Sequence, residues 1–171
     1  MNQRKDNRKK TNLVLILIFS LLLMMALFLN IDRRSSRAET ENDLMEAVFR
    51  YQFAHNGSSK QNRAYAYYLA ICFNQDPGDE FIKRFKNSKP PVMKISQSTT
   101  DTGLGQAVKD RKTGQEGLIF RITSIRFIND ETAEVKGGYY EASLSASGNT
   151  YQLIRIGRYW IVIKDVCNWC S

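Results

Sequence analysis

The stretch from Gly117 to Val166, GLIFRITSIRFINDETAEVKGGYYEASLSASGNTYQLIRIGRYWIVIKDV, consists of extended runs separated by turn residues. Leu118 to Ile128, Thr132 to Ser145, Thr150 to Ile156 and Tyr159 to Val166 are rich in β-branched and aromatic side chains. They meet at Asn129-Asp130-Glu131, Ala146-Ser147-Gly148-Asn149 and Gly157-Arg158. Short connections of this composition predict hairpins, and four such runs in series predict an antiparallel meander. A meander with one apolar face needs helices laid across it.

The chain upstream supplies them. Residues 97–116 are polar, with Gly103, Gly105 and Gly114, and read as a long loop of functional or mobile character. Before the loop, Pro90-Pro91 ends a helix and hands the chain to an extended segment, Val92 to Ser96. That helix begins at Asp76-Pro77-Gly78-Asp79-Glu80, with a side-chain cap, Pro at the first helical position and acids in the first turn; Phe81, Ile82 and Phe85 form its apolar face. Tyr65, Tyr67, Leu69, Ile71 and Phe73 alternate with Ala64, Ala66, Tyr68, Ala70 and Cys72, the period of a strand, with an Ala-rich helix as the alternative. From Thr40, Leu44, Met45, Val48, Phe49 and Phe53 recur at helical spacing behind Glu39, Glu41, Asp43 and Glu46, and His55-Asn56-Gly57 provides the stop. The fold class predicted is α+β: a cone-like roll of two helices packed on a curved antiparallel sheet, over residues 40–171.

Leu13 to Leu29 is apolar except for Ser20, and Arg4, Lys5, Arg8, Lys9 and Lys10 precede it. About 17 to 25 apolar residues suffice to cross a bilayer as a helix. The expectation is a cytoplasmic basic tail over 1–12, a transmembrane helix acting as signal anchor over 13–30, and a short tether over 31–39. Positive charge collects on cytoplasmic flanks, so the C-terminal domain is placed outside the cytosol. Ser36-Arg37-Ala38 is the alternative, a signal-peptide cleavage site. Five of the 25 Lys/Arg and one of the 17 acids fall in residues 1–30, so half of the formal net charge of +8 belongs to that flank. With no Lys/Arg run interleaved with aromatics elsewhere, nucleic-acid binding is excluded as a reading.

The stretches Asp76 to Phe81, Gly117 to Arg121, Gly137-Gly138-Tyr139-Tyr140-Glu141-Ala142 and Leu144 to Tyr151 resemble an uncharacterised bacterial family of exported or membrane-anchored domains. That resemblance spans residues 44–171 and implies a bacterial envelope setting without implying an activity. The element order also resembles the nuclear-transport-factor-2-like and cystatin-like superfamily, which implies a roll with a ligand-binding concave face. A short tail, one span and an exported roll are similar in layout to the inner-membrane component of type IV secretion systems, which implies a scaffold role.

Candidate site residues are few. Glu141, beside Tyr139 and Tyr140, is a carboxylate that a concave face could use, although alternation also allows it to point to water. Trp160 is a candidate binding aromatic and equally a core residue. Cys167 and Cys170 form a C-x-x-C one residue from the last position given, read as a disulfide within the pair, a disulfide with Cys72 or unpaired thiols in preference to redox chemistry, since an active pair sits at a helix N-terminus. Cys72, Cys167, Cys170 and His55 complete a zinc set only on paper, since no second close-spaced ligand pair exists. No catalytic residue, metal or cofactor is assigned. The function expected is binding of a partner protein or small ligand by a membrane-tethered domain; an envelope enzyme, working through Cys167 and Cys170 or at Glu141, is the alternative.

Overall fold

A computed structural model describes residues 3–72, 74–100 and 106–171, and within them the side chains of 19–25, 36–72, 74–100 and 106–171. Helix α1 runs Gln3–Ala54, followed by β1 (Tyr67–Ile71), α2 (Asp79–Lys83), β2 (Val92–Lys94), a single 3-10 turn (Ile95–Gln97), β3 (Ser98–Thr100), β4 (Val108–Asp110), β5 (Leu118–Phe127), β6 (Thr132–Ala142), β7 (Ser145–Ile156) and β8 (Tyr159–Cys170). The chain divides into two compact units, residues 1–41 and 42–171, and the second holds every strand.

Within residues 42–171 six strands form one sheet in the order β2-β1-β5-β6-β7-β8, and β3 pairs with β4 apart from it. β5 to β8 are antiparallel neighbours, as the hairpin turns predict. β1, however, runs parallel to both β2 and β5. The expected all-antiparallel sheet is therefore corrected to a mixed one. Parallel neighbours need a long crossover, and the segment carrying α2 provides it between β1 and β2.

That crossover explains why β1 is buried on both sides. Tyr67 and Leu69 join the main core with Leu44, Val48 and Phe49 of α1, Phe81 and Phe85, and Leu118, Phe120 and Ile122 of β5. Tyr68 and Ala66 face the other way, into a smaller core with Val108 and Ile119. The residues expected to form a bare loop, 97–116, supply this cover: β3 and β4 pair as Ser98 with Asp110 and Thr100 with Val108. Asp110 holds the hairpin, its Oδ1 accepting from the Lys112 and Thr113 amides at 3.0 and 2.8 Å and its Oδ2 from the Tyr68 hydroxyl at 2.8 Å. Residues 101–105 of that segment, and Phe73, lie outside the described residues.

Two further elements differ from expectation. α2 is five residues long and its N-cap is Gly78, without a side-chain cap; Asp76 Oδ1 accepts from the Ser96 amide instead. β7 begins at Ser145, so the chain turns at Ser143-Leu144 rather than at 146–149.

The N-terminal expectation is corrected as well. Among the described residues no helix is long and apolar enough to cross a membrane. Within the expected span, Phe19 to Met25 are the residues with described side chains. The rest of the expected span, 13–18 and 26–30, lies outside the described side chains. The reading of 13–30 as a transmembrane helix and signal anchor is withdrawn on that finding. The expected tether at 31–39 is helical, part of α1, with Thr40 Oγ1 donating to the Ser36 carbonyl at 2.9 Å.

Candidate functional site

α1 ends where its sequence says it should, but by another device than a left-handed residue. Asn56 Nδ2 donates to the carbonyls of Gln52 and Phe53 at 2.9 and 3.1 Å, and its Oδ1 accepts from the Ser58 amide at 3.0 Å. The side chain thereby satisfies carbonyls that a helix end leaves open. His55, the only histidine, stacks on Tyr51 with ring centroids 4.2 Å apart and brings Nδ1 to 3.0 Å from the Tyr51 carbonyl. This end of the helix meets the sheet over β6 and β7, and a cavity of about 210 Å³ remains there, lined among others by Gln52, His55, Tyr139, Asn149, Tyr151 and Cys170.

Gln52 decides what that cavity can hold. It is 2% exposed. Its Nε2 donates to the Arg121 carbonyl at 3.1 Å and to the Tyr151 hydroxyl at 3.3 Å. Because a carbonyl only accepts, the amide cannot be turned over, and Oε1 is left buried with no hydrogen-bond partner among the described residues. The Tyr151 oxygen accepts from Gln52 and keeps its own proton to donate. Burial, helped by the charge of Asp165 and opposed by the Gln52 hydrogen bond, pushes the Tyr151 pKa well above the ordinary tyrosine value, so that proton is retained. Gln52, with its unmet acceptor, and Tyr151, with a proton to donate, thus both line one small cavity. Among the described residues no carboxylate lines it, and the His55 side chain that does is exposed.

The residues singled out from the sequence go to different places. Tyr139 lines this cavity and packs on the main core. Glu141 lies on the same side of β6, which is the helix-covered face, so it is buried rather than solvated. A register shift between Tyr140 and Ala142 leaves Glu141 unpaired with β7, the kind of bulge that re-aims a side chain. Its Oε2 accepts from Ser58 and Ser145 hydroxyls at 2.7 and 2.8 Å, and Lys60 Nζ stands 3.6 Å from Oε1. Burial opposes the charge, but those hydrogen bonds and Lys60 together hold the carboxyl below the usual glutamate range. Glu141 is a strut between the loop after α1 and the β6–β7 turn.

A pH dependence follows. Since the folded-state pKa lies below the unfolded one, ionised Glu141 adds stability above the ordinary glutamate range and loses it as pH falls through the lowered folded value. Glu141→Gln is expected to flatten the acid limb of stability, read from urea midpoints between about pH 7 and about pH 3.

Tyr140 faces the other side, where its hydroxyl donates to the Gln106 carbonyl at 3.1 Å. Trp160 is core, edge-on to Phe127 with centroids 5.9 Å apart, and lines no described cavity. Cys167 and Cys170 are joined in a disulfide within β8, while Cys72 is an exposed free thiol. The pair lies within strand β8. Cys167→Ser/Cys170→Ser is expected to keep the fold and to cost at most about 2 kcal/mol, the chain-entropy value for so short a loop, measured by urea unfolding. Among the described residues no group of His, Cys, Asp and Glu is arranged to hold a metal.

Gln52, Asn149 and Tyr151 were not singled out from the sequence. The signal for Gln52 was present: it continues the Met45, Val48, Phe49 stripe at helical spacing, a polar residue where a buried one belongs. Tyr151 shares a strand face with Leu153 and packs in the core, and nothing in that alternation marks a cavity. Comparison of the chain with family models, with curated proteins and with solved structures gives no match.

Proposed function

We propose that residues 42–171 form a non-catalytic binding module for a small polar molecule, taken up where the end of α1 meets β6 and β7. The observation that supports this reading is the unpartnered Oε1 of buried Gln52, a residue that lines the cavity together with Tyr151, to whose hydroxyl its Nε2 donates. A buried acceptor without a partner is costly, and a ligand that donates to it removes the cost. The matching chemistry is an adjacent N–H and C=O, as in primary amides and pyrimidine bases. At about 210 Å³ the cavity is smaller than the about 300–1,000 Å³ typical of drug-sized ligands, which limits the ligand to one small ring or less. The disulfide supports an oxidising compartment as the setting.

The test is calorimetric titration of the full-length chain with nicotinamide, uracil and urea. Binding of at least one is expected, weakened about tenfold or more by Gln52→Leu and by Tyr151→Phe, as loss of one buried hydrogen bond implies. Unchanged affinity in both variants would contradict the reading.

A further inference from the structure

The opposite face of the sheet carries a second site of different chemistry. β5 turns Leu118, Phe120 and Ile122 toward the main core, so Ile119 and Arg121 point the other way. Arg121 is half-buried there, with its guanidinium carbon 5.7 Å from the centre of the Tyr140 ring. Its Nε is shielded from solvent and has no hydrogen-bond partner, and among the described residues no carboxylate pairs with it. Partial withdrawal of a guanidinium from water without a counter-charge is unfavourable unless something supplies one.

Arg121 lines two cavities at once. The larger, about 470 Å³, is walled by Arg111 and the hydroxyl residues Ser96, Ser98, Thr99 and Thr100, with Asp76 its one carboxylate among the described residues. Asp76 is engaged through Oδ1 by the Ser96 amide, and Arg111 Nε donates to the Ser98 carbonyl at 2.7 Å, which leaves the outer guanidinium nitrogens of Arg111 without a partner among the described residues. The smaller cavity, about 240 Å³, adds Lys136, Asn168 and Trp169. Trp169 is 57% exposed yet held against bare backbone: a Cβ on Gly148 would fall 2.2 Å from its Nε1.

Three cations, a row of hydroxyls and an exposed indole on one face match a single ligand chemistry. We propose that this face binds an oxyanion carried on a sugar, a carboxylate or a phosphate, with Arg121 taking the oxyanion and Trp169 offering a platform for the ring. The guanidinium fork suits two-point contact with either oxyanion, and the indole has an apolar face with a polar edge. Arg121, Arg111 and Trp169 do not line the cavity at Gln52, so variants at these residues test this site apart from that one.

The experiment is calorimetric titration of the full-length chain with glucuronate, glucose 6-phosphate and glucose, with tryptophan fluorescence as a second readout. At least one of the two anionic sugars is expected to bind and to change the Trp169 emission, glucose to do neither. Glucuronate alone assigns the carboxylate, glucose 6-phosphate alone the phosphate, and either result supports the site. Arg121→Lys, which keeps the charge and loses the fork, and Trp169→Ala are each expected to weaken binding about tenfold. Arg111→Met, at an exposed position, is expected to weaken it similarly. Binding of glucose as tight as that of its acids, no binding of either acid, or unchanged affinity in Arg121→Lys and Arg111→Met would overturn the proposal.

Discussion

Gly138→Ala is expected to destabilise the domain by about 3 kcal/mol or more, the upper end of what overpacking costs. A Cβ at this position would lie 1.9 Å from the Ser147 carbonyl oxygen and 3.1 Å from the Gly148 Cα. These are backbone atoms, so no side-chain rotation relieves the clash. The only escape is for β6 and β7 to separate, and they are central strands of the sheet, each paired on both sides. Gly137 beside it is as tightly placed, with its added Cβ 2.1 Å from the Arg121 carbonyl. Gly78→Ala provides the contrast, since nothing lies within 4 Å of its added Cβ and its φ is −63°. That change is expected to stay within about 0.5 kcal/mol. Urea unfolding of both variants checks the pair, and a Gly138→Ala protein as stable as the parent would mean the strands are not in this register.

Phe49→Ala is expected to cost about 3–5 kcal/mol, the range for emptying a buried aromatic site. Phe49 is fully buried and touches both aromatic residues of the crossover, with ring centroids 6.1 Å from Phe81 and 6.4 Å from Phe85. Around it Phe53 closes on Phe85 and Phe120 at 5.7 and 5.0 Å, so helix, crossover and sheet share one ring cluster. Removing the central ring leaves a space that three separately anchored elements cannot collapse to fill. Leu144→Ala, at a turn position 86% exposed, is expected to change stability by less than about 0.5 kcal/mol. Equal small losses from the two variants would show that α1 does not pack on the sheet as described.

The sequence made the local elements readable and left their partners open. Hairpin turns at Asn129 to Glu131 and Gly157-Arg158 announce β5 to β8, because turn chemistry is local. The parallel placement of β1 has no such mark: Tyr67 and Tyr68 both end buried because the crossover covers one face and the β3–β4 hairpin the other. That hairpin, in turn, is held by Asp110, whose capping of Lys112 and Thr113 gives the polar segment an order that composition does not reveal. Glu141 illustrates the same limit at the level of one side chain. Alternation puts it on the face of Tyr139, but only the tertiary fold makes that the covered face and brings Ser58, 83 residues earlier, within 2.7 Å. Gln52 was visible as a polar intrusion in an apolar stripe, while Arg121 was visible as a charge inside a strand. What neither pattern conveys is that both are left with an unmet polar atom.

Nuclear magnetic resonance of the Gln52 side-chain amide and of the Tyr139 and Tyr151 backbone amides, followed as nicotinamide or uracil is added to the full-length chain, asks whether the cavity at the end of α1 takes a ligand. A saturable shift confined to these groups, and absent from Gln52→Leu, is the expected result. Resonances that stay in place at every concentration, or that move identically in Gln52→Leu, would contradict a binding site there.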